Sequence, residues 1–175
     1  MTQENVILVD PEDRPVGIME KMEAHLNGGR LHRAFSIFIF NKKNELLLQQ
    51  RALKKYHSGG LFTNTCCSHP RPGEDTIAAG RRRLEEELGI SCNLKEAFTF
   101  TYKANLNNEL TEYEFDHVLI GHYDGKLHLN HEEVDSVKWL SMPEIKILMN
   151  LSPDEFTVWF KIAFEQVENY MKNAL

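Results

Sequence analysis

No run of apolar residues in this 175-residue chain approaches the roughly 20 that a membrane-spanning helix needs. The N-terminal stretch MTQENVILVD also lacks a basic region followed by an apolar one, so the expectation is a cytoplasmic protein, neither exported nor membrane-bound. Cysteine is scarce. The three cysteines, at 66, 67 and 92, are odd in number and lack C-x-x-C spacing, which argues against a disulfide framework or zinc ribbon and for free thiols in a reducing compartment. Positive charge is short as well. With 20 Lys and Arg against 26 Asp and Glu, the net charge of −6 speaks against nucleic acid as the main partner. It leaves room for a small phosphorylated substrate held by a few local cations. No repeat, low-complexity tract or linker divides the chain, and 42 % apolar with 26 % charged residues predicts one domain over 1–175 with a proper core.

What is present is a mixture of strands and helices. Val6 to Val9 and Val16 to Met19 read as strands around the turn Asp10 to Pro15. The β-branched and aromatic run LHRAFSIFIF, the turn NKKNE and LLLQQR predict a hairpin, and LFTNTCC a further strand. AFTFTYK and TEYEFDHVLIGHY follow as strands joined by the asparagine-rich ANLNNEL. In the second, Glu112, Glu114 and Asp116 share one face and Tyr113, Phe115 and His117 the other. VDSVKWL is a strand before a helix from Pro143 to Met149. Phe156, Trp159, Phe160, Ala163, Phe164, Val167 and Tyr170 recur at helical spacing, predicting one amphipathic helix from Pro153 to Lys172. The expected class is α/β (α+β): an α/β/α sandwich with one mixed sheet between helices.

The chain centres on Cys67 to Ile90, a Pro/Gly loop running into a charged helix that stops at Gly89. Ile77, Leu84 and Leu88 form its apolar stripe with small residues nearby for close packing. Arg83 and Glu87 lie one turn apart at the edge, while Arg82 and Glu86 read as a solvated ion pair. Glu74, Arg82, Leu84, Glu86, Glu87, Gly89 and Ile90 stand in the register of the Nudix box, which this stretch resembles. Two positions depart: Ser68 replaces the opening glycine, and Arg83 replaces a glutamate that Nudix hydrolases use among their metal ligands. The resemblance implies the Nudix-like fold and argues against the usual hydrolysis, which is kept as the alternative function.

Cys67, beside His69 in the polar loop, is a candidate reactive thiol, whereas Cys66 should point the other way into the core. Eight histidines have no tight metal-ligand spacing, and alternating carboxylates are common on solvent-facing strands. Arg51, Lys55, Arg83 and Lys21 are cations that could neutralise a diphosphate, each by itself an ordinary solvated charge. Trp159 lies on an apolar stripe, where core packing is the default.

Beyond the box, EKMEAH with RLHRAFS, QQRALKKY, TNTCCSHP, RRRLEEELG and T-E-Y-E occur in one order over nearly the whole chain. In these the chain resembles the type I isopentenyl-diphosphate isomerases, Nudix-fold enzymes of isoprenoid synthesis. The resemblance implies a divalent metal, Mn²⁺ or Zn²⁺, bound by His25, His32, His69, Glu112 and Glu114. It implies that Cys67 and Glu114 flank the substrate double bond, that Tyr102 assists proton transfer and that Trp159 covers the carbon skeleton. Lys21, Arg51, Lys55, Ser68 and Arg83 would contact the diphosphate, with Glu87 reaching it through Mg²⁺. The partner implied is a small allylic or homoallylic diphosphate, bound by a monomer or weak dimer.

Overall fold

The computed structural model describes residues 4–106 and 109–174, so Asn107 and Asn108 of the expected turn lie outside the described residues. β1 (Asn5–Val9) and β2 (Pro15–Glu20) form an antiparallel hairpin, followed by the short helix α1 (Lys21–His25). β3 (His32–Phe40) and β4 (Leu46–Arg51) lead to β5 (Phe62–Thr63), β6 (Cys66–Ser68) and α2 (Thr76–Leu88). β7 (Leu94–Asn105), β8 (Thr111–His122) and β9 (Val134–Leu140) precede α3 (Met142–Leu151) and α4 (Val158–Ala174).

β3 is the centre of a mixed sheet, running parallel to β8 and antiparallel to β6, while β4 pairs with β5 and β9. Its alternate residues supply two cores. Phe35, Ile37 and Ile39 pack with Leu84 and Leu88 of α2, whereas Phe38 and Phe40 pack with Phe160, Ala163 and Phe164 of α4. This is the expected α/β/α sandwich. A strand covered on both faces reads as a near-continuous apolar run, as LHRAFSIFIF does. Each such Phe or Ile, fully withdrawn from water, contributes about 1.5–3 kcal/mol.

α2 begins at Asp75, whose carboxylate accepts from the Ala78 backbone N–H, and ends at Gly89 with φ +65. At Gly80 a Cβ would come within 2.9 Å of the end of the Leu119 side chain, which would have to shift to admit it, so the helix lies close to the sheet here.

Four expectations are corrected. β3 and β4 meet only at Phe40 and Leu46, because the Asn64–Thr65 segment and β6 take the edge of β3 that a hairpin partner would occupy, while β8 runs along the other edge. The strand expected through LFTNTCC is broken between Thr63 and Cys66, where buried Asn64 bonds the carbonyls of Ile37 and Cys66. The last helix starts at Val158. Pro153–Glu155 form a separate 3₁₀ turn, and Phe156 is extended and bridged to Phe62, with the Thr157 hydroxyl on Thr63 at 2.9 Å. Arg82 also differs, donating to Glu74 at 2.7 and 2.9 Å and reaching Glu86 only at 3.4 Å.

Candidate active site

One sheet face changes character along its length. On β3 it reads His32, Ala34, Ser36, Phe38, Phe40, and the parallel register sets His32 beside Glu114, Ala34 beside Asp116 and Phe38 beside Ile120. The apolar end lies under α4. The polar end gathers chemistry, because β6 places Cys67 opposite Ser36 and β7 places Tyr102 opposite Glu114. Glu112, Glu114 and Asp116 are all buried, while Tyr113, Phe115 and His117 are only partly covered, so the row of carboxylates faces inward.

His25 Nδ1 and His32 Nδ1 each lie 2.7 Å from a backbone carbonyl, of Lys21 and Arg30 respectively. A carbonyl only accepts, so both Nδ1 atoms carry hydrogen, and in the neutral rings both Nε2 lone pairs face inward. There they meet His69 Nε2, 3.2 Å from His32, and the carboxylates: Glu112 Oε2 is 3.2 Å from His25, and Glu114 Oε1 is 2.9 Å from His69 and 3.5 Å from His32. Lone pairs of rings and carboxylates converging in a buried space call for a cation between them, and nitrogen with carboxylate oxygen is a donor set suited to a divalent metal. The pinned Nδ1–H groups fit that reading, since such bonds orient imidazole ligands. The ligating atoms of His25, His32, His69 and Glu114 lie within 4.8 Å of one another, and those of His25, His57 and Glu112 form an overlapping group. Glu112 thus stands beside His25 rather than in the first group.

Burial lowers the basicity of His69 to about 4, against the opposing pull of Glu114. Burial works against charge on Glu114 too, but hydrogen bonds from His32 and His69 hold it well below the usual carboxylate range. In the metal-free protein the folded chain keeps His69 neutral while the unfolded chain protonates it below its ordinary 6.5. Acidification from pH 6.5 to 4 therefore favours unfolding, removing up to about 3 kcal/mol through this ring. The melting temperature of metal-free His69→Asn should fall less than that of the parent across this window. Parallel curves would show that His69 is not held neutral.

The Cys67 thiol is pushed up to about 12 by burial, with the nearby Arg51 guanidinium pulling the other way and the carboxylates of Glu87, Glu114 and Asp116 adding to the rise. It carries its proton at neutral pH. Arg51 Nη1 lies 3.9 Å from the sulfur, and its guanidinium sits 5.3 Å from the Trp159 ring. Cys67, Ser68, His69, Tyr102, Glu112, Glu114 and Trp159 line one cleft together with Lys21, Arg51, Lys55, Arg83 and Glu87. His25 and His32 lie beneath its floor, fully buried. Lys21 is paired with Glu4, Lys55 with Glu133, and Arg83 with Glu87 at 2.5 Å. Arg51 has no such partner among the described residues, and the Nε atoms of Arg51 and Arg83 are buried without acceptors. Buried donors left unpaired are costly, and an anion entering the cleft would relieve that cost.

Ser68 pairs with Phe35 as an ordinary strand residue, so its position does not require glycine. Glu87 stands apart from the histidines, held by Arg83 and by Gln49 at 3.0 Å. Trp159 belongs to the α4 core and lines the cleft, so packing and contact with a ligand are compatible. Sequence reasoning assigned no role to His57, Tyr56, Gln49, Glu4 or Glu133. They come from loops and strands far apart in the chain, and none carried a local spacing signal.

A mixed sheet between helices, with a charged helix bordering a polar cleft at one end, is the arrangement of the Nudix class, and the NUDIX domain model matches residues 30–160. Crystal structures share the fold at low identity. A Deinococcus radiodurans protein has a TM-score of 0.70 at 19 % identity, covering 88 % of this chain and 92 % of its own. The MutT protein of Methanosarcina mazei has 0.67 at 19 %, covering 81 % and 96 %. Within that class the chain belongs to the isopentenyl-diphosphate Delta-isomerase family. It is 50 % identical to the isopentenyl-diphosphate Delta-isomerase of Pectobacterium atrosepticum over 94 % of this chain and 92 % of that one. Its identity to the Burkholderia multivorans isomerase is likewise 50 %, over 94 % and 93 %.

Proposed function

We propose that the chain interconverts isopentenyl diphosphate and dimethylallyl diphosphate by adding a proton to one carbon and removing one from another, through a tertiary carbocation. The observation that carries the reading is a thiol, Cys67, and a carboxylate, Glu114, lining one cleft that also holds unpaired guanidinium donors. An unactivated alkene is a weak base, so an acid and a base must both be positioned. In the direction toward dimethylallyl diphosphate, Cys67 gives its proton to the double bond and Glu114 accepts the one lost from the neighbouring carbon. The Tyr102 hydroxyl, donating to Glu114 at 2.7 Å, steadies that carboxylate. The proton on Glu114 must then return to the thiolate before the next turnover.

His25, His32 and His69 with Glu112 and Glu114 would hold a divalent cation, Mn²⁺ or Zn²⁺, which supplies positive charge that keeps Glu114 oriented and ionised. Lys21, Arg51, Lys55, Ser68 and Arg83 would hold the diphosphate, with Glu87 meeting its Mg²⁺. Water must be kept from the carbocation, which it would trap as an alcohol.

Incubation with isopentenyl diphosphate and product analysis tests this. Dimethylallyl diphosphate is expected. Release of inorganic diphosphate or phosphate would return the hydrolase reading, which Arg83 at the glutamate position disfavours, and absence of turnover would overturn both.

The indole face of Trp159 is assigned to the carbocation. Trp159→Phe should lower turnover and weaken a diphosphate bearing a tertiary ammonium in place of the cationic carbon, by about 0.5–2 kcal/mol each. Affinity for isopentenyl diphosphate should change much less. Equal losses for both ligands would return Trp159 to a packing role, which a parallel melting curve would quantify.

A further inference from the structure

We propose that His57 is a positioning residue whose ring N–H holds one oxygen of Glu112, leaving the other facing His25, and so sets the affinity of the histidine and glutamate site for a divalent cation. The inference rests on the proposed metal at that site. It starts from the opposite orientation of the hydrogen bonds around the rings. His25 and His32 each give Nδ1–H to a carbonyl and present a bare Nε2. His57 does the reverse: its Nε2 lies 3.1 Å from Glu112 Oε1 and its Nδ1 3.2 Å from the Ser58 hydroxyl.

His25 and His57 both aim Nε2 at Glu112, but of the two neutral rings only His57 can carry its hydrogen there, because its Nδ1 faces a hydroxyl that can donate, whereas the carbonyl at His25 Nδ1 holds that ring's hydrogen. The Ser58 hydroxyl can then donate to Nδ1, and every polar atom of the ring is satisfied without added charge. His57 therefore has no lone pair to offer a metal at this place, although its Nε2 lies near His25 and Glu112. The two oxygens of Glu112 are divided, Oε1 to His57 and Oε2 to His25 at 3.2 Å.

The ring is fixed from several sides. Tyr56 stands edge-on at 4.4 Å and Trp159 at 5.9 Å, the side chain is 6 % exposed, and the His57 carbonyl accepts from Arg51 at 3.3 Å. The loop behind it is tight as well. Ser58 adopts φ +52, and a Cβ on Gly59 would fall 2.6 Å from the Leu53 carbonyl oxygen. A carboxylate that would otherwise rotate is thus held by a ring that itself cannot turn, which lowers the cost of orienting the ligand when a cation arrives.

The test is Zn²⁺ affinity by competition with a chromophoric chelator, on the full chain and on His57→Ala and His57→Gln, with metal-free melting temperatures measured in parallel. A glutamine amide can donate from nearly the place of Nε2. His57→Ala should bind Zn²⁺ about 10–100-fold more weakly, the range that follows loss of a partner of a metal ligand, and His57→Gln should stay near the parent. Ser58→Ala, which leaves Glu112 and the ligand histidines untouched, should show a smaller weakening in the same direction. Equal affinity of His57→Ala and the parent would overturn the inference. So would an equal loss in both His57 variants, or a second Zn²⁺ bound by the parent and lost with His57, since either would make the ring a ligand. A parent that binds no Zn²⁺, Mn²⁺ or Mg²⁺ would overturn the metal reading itself, a result distinct from the others.

Discussion

Cys67→Ala is expected to cut isomerisation by on the order of 10²–10⁴, while the melting temperature and diphosphate affinity stay near those of the parent. The thiol lines the cleft, partly buried against the α4-side core with Arg51 as polar neighbour of its sulfur, so its removal is expected to delete the proposed proton carrier and little packing. Cys66 is the internal control. It is fully buried among Phe35, Ile37 and Leu84 on the α2 side of the sheet, and Cys66→Ala should cost about 1 kcal/mol of stability with only a mild loss of turnover. Steady-state kinetics and melting curves of the two variants decide the matter. A reversed pattern, with Cys66 essential and Cys67 dispensable, would assign the active thiol to the wrong face of the strand.

Metal removal should be nearly as severe. Treatment with a chelator is expected to abolish turnover and readdition of a divalent cation to restore it. His69→Ala or Glu112→Ala should lose metal and activity together, by more than the roughly 10–100-fold that follows loss of an outer partner. His128→Ala and His131→Ala, both exposed and outside the cluster, should retain both. Elemental analysis of the purified variants separates these outcomes, and full occupancy in His69→Ala would strike that residue from the ligand set. Activity that survives exhaustive chelation would remove the cation from the reaction.

Much of the fold was legible because it is written in local periodicity. The stripe Ile77, Leu84, Leu88 with Gly89 at its end needed no distant partner to read as α2, and the alternation in TEYEFDHVLIGHY identified the shared face of Glu112, Glu114 and Asp116. Which face that was could not be read. Alternation has the same period whether the carboxylates point to water or inward, and only the segments packed over that face, which bring His25, His57 and His69 against Glu112 and Glu114, bury them. The same limit explains the missed break before Val158. Phe156 keeps the helical apolar spacing because it is buried in the α4 core from an extended segment, so spacing alone extended the helix backward.

The sequence by itself determined the class, the small number of free thiols, the box-bearing helix and, through resemblance, a roster of candidate residues. It did so because these depend on neighbours in the chain, on composition or on motif order. The tertiary structure alone decided how those candidates meet. It brought Lys21 to Glu4, Lys55 to Glu133 and Arg83 to Glu87, left Arg51 without an ion-pair partner among the described residues, and set His57 beside Glu112. Hydrogen-bond direction, burial and the protonation they impose are properties of side chains held together by the sheet, and residue order along the chain does not encode them one by one.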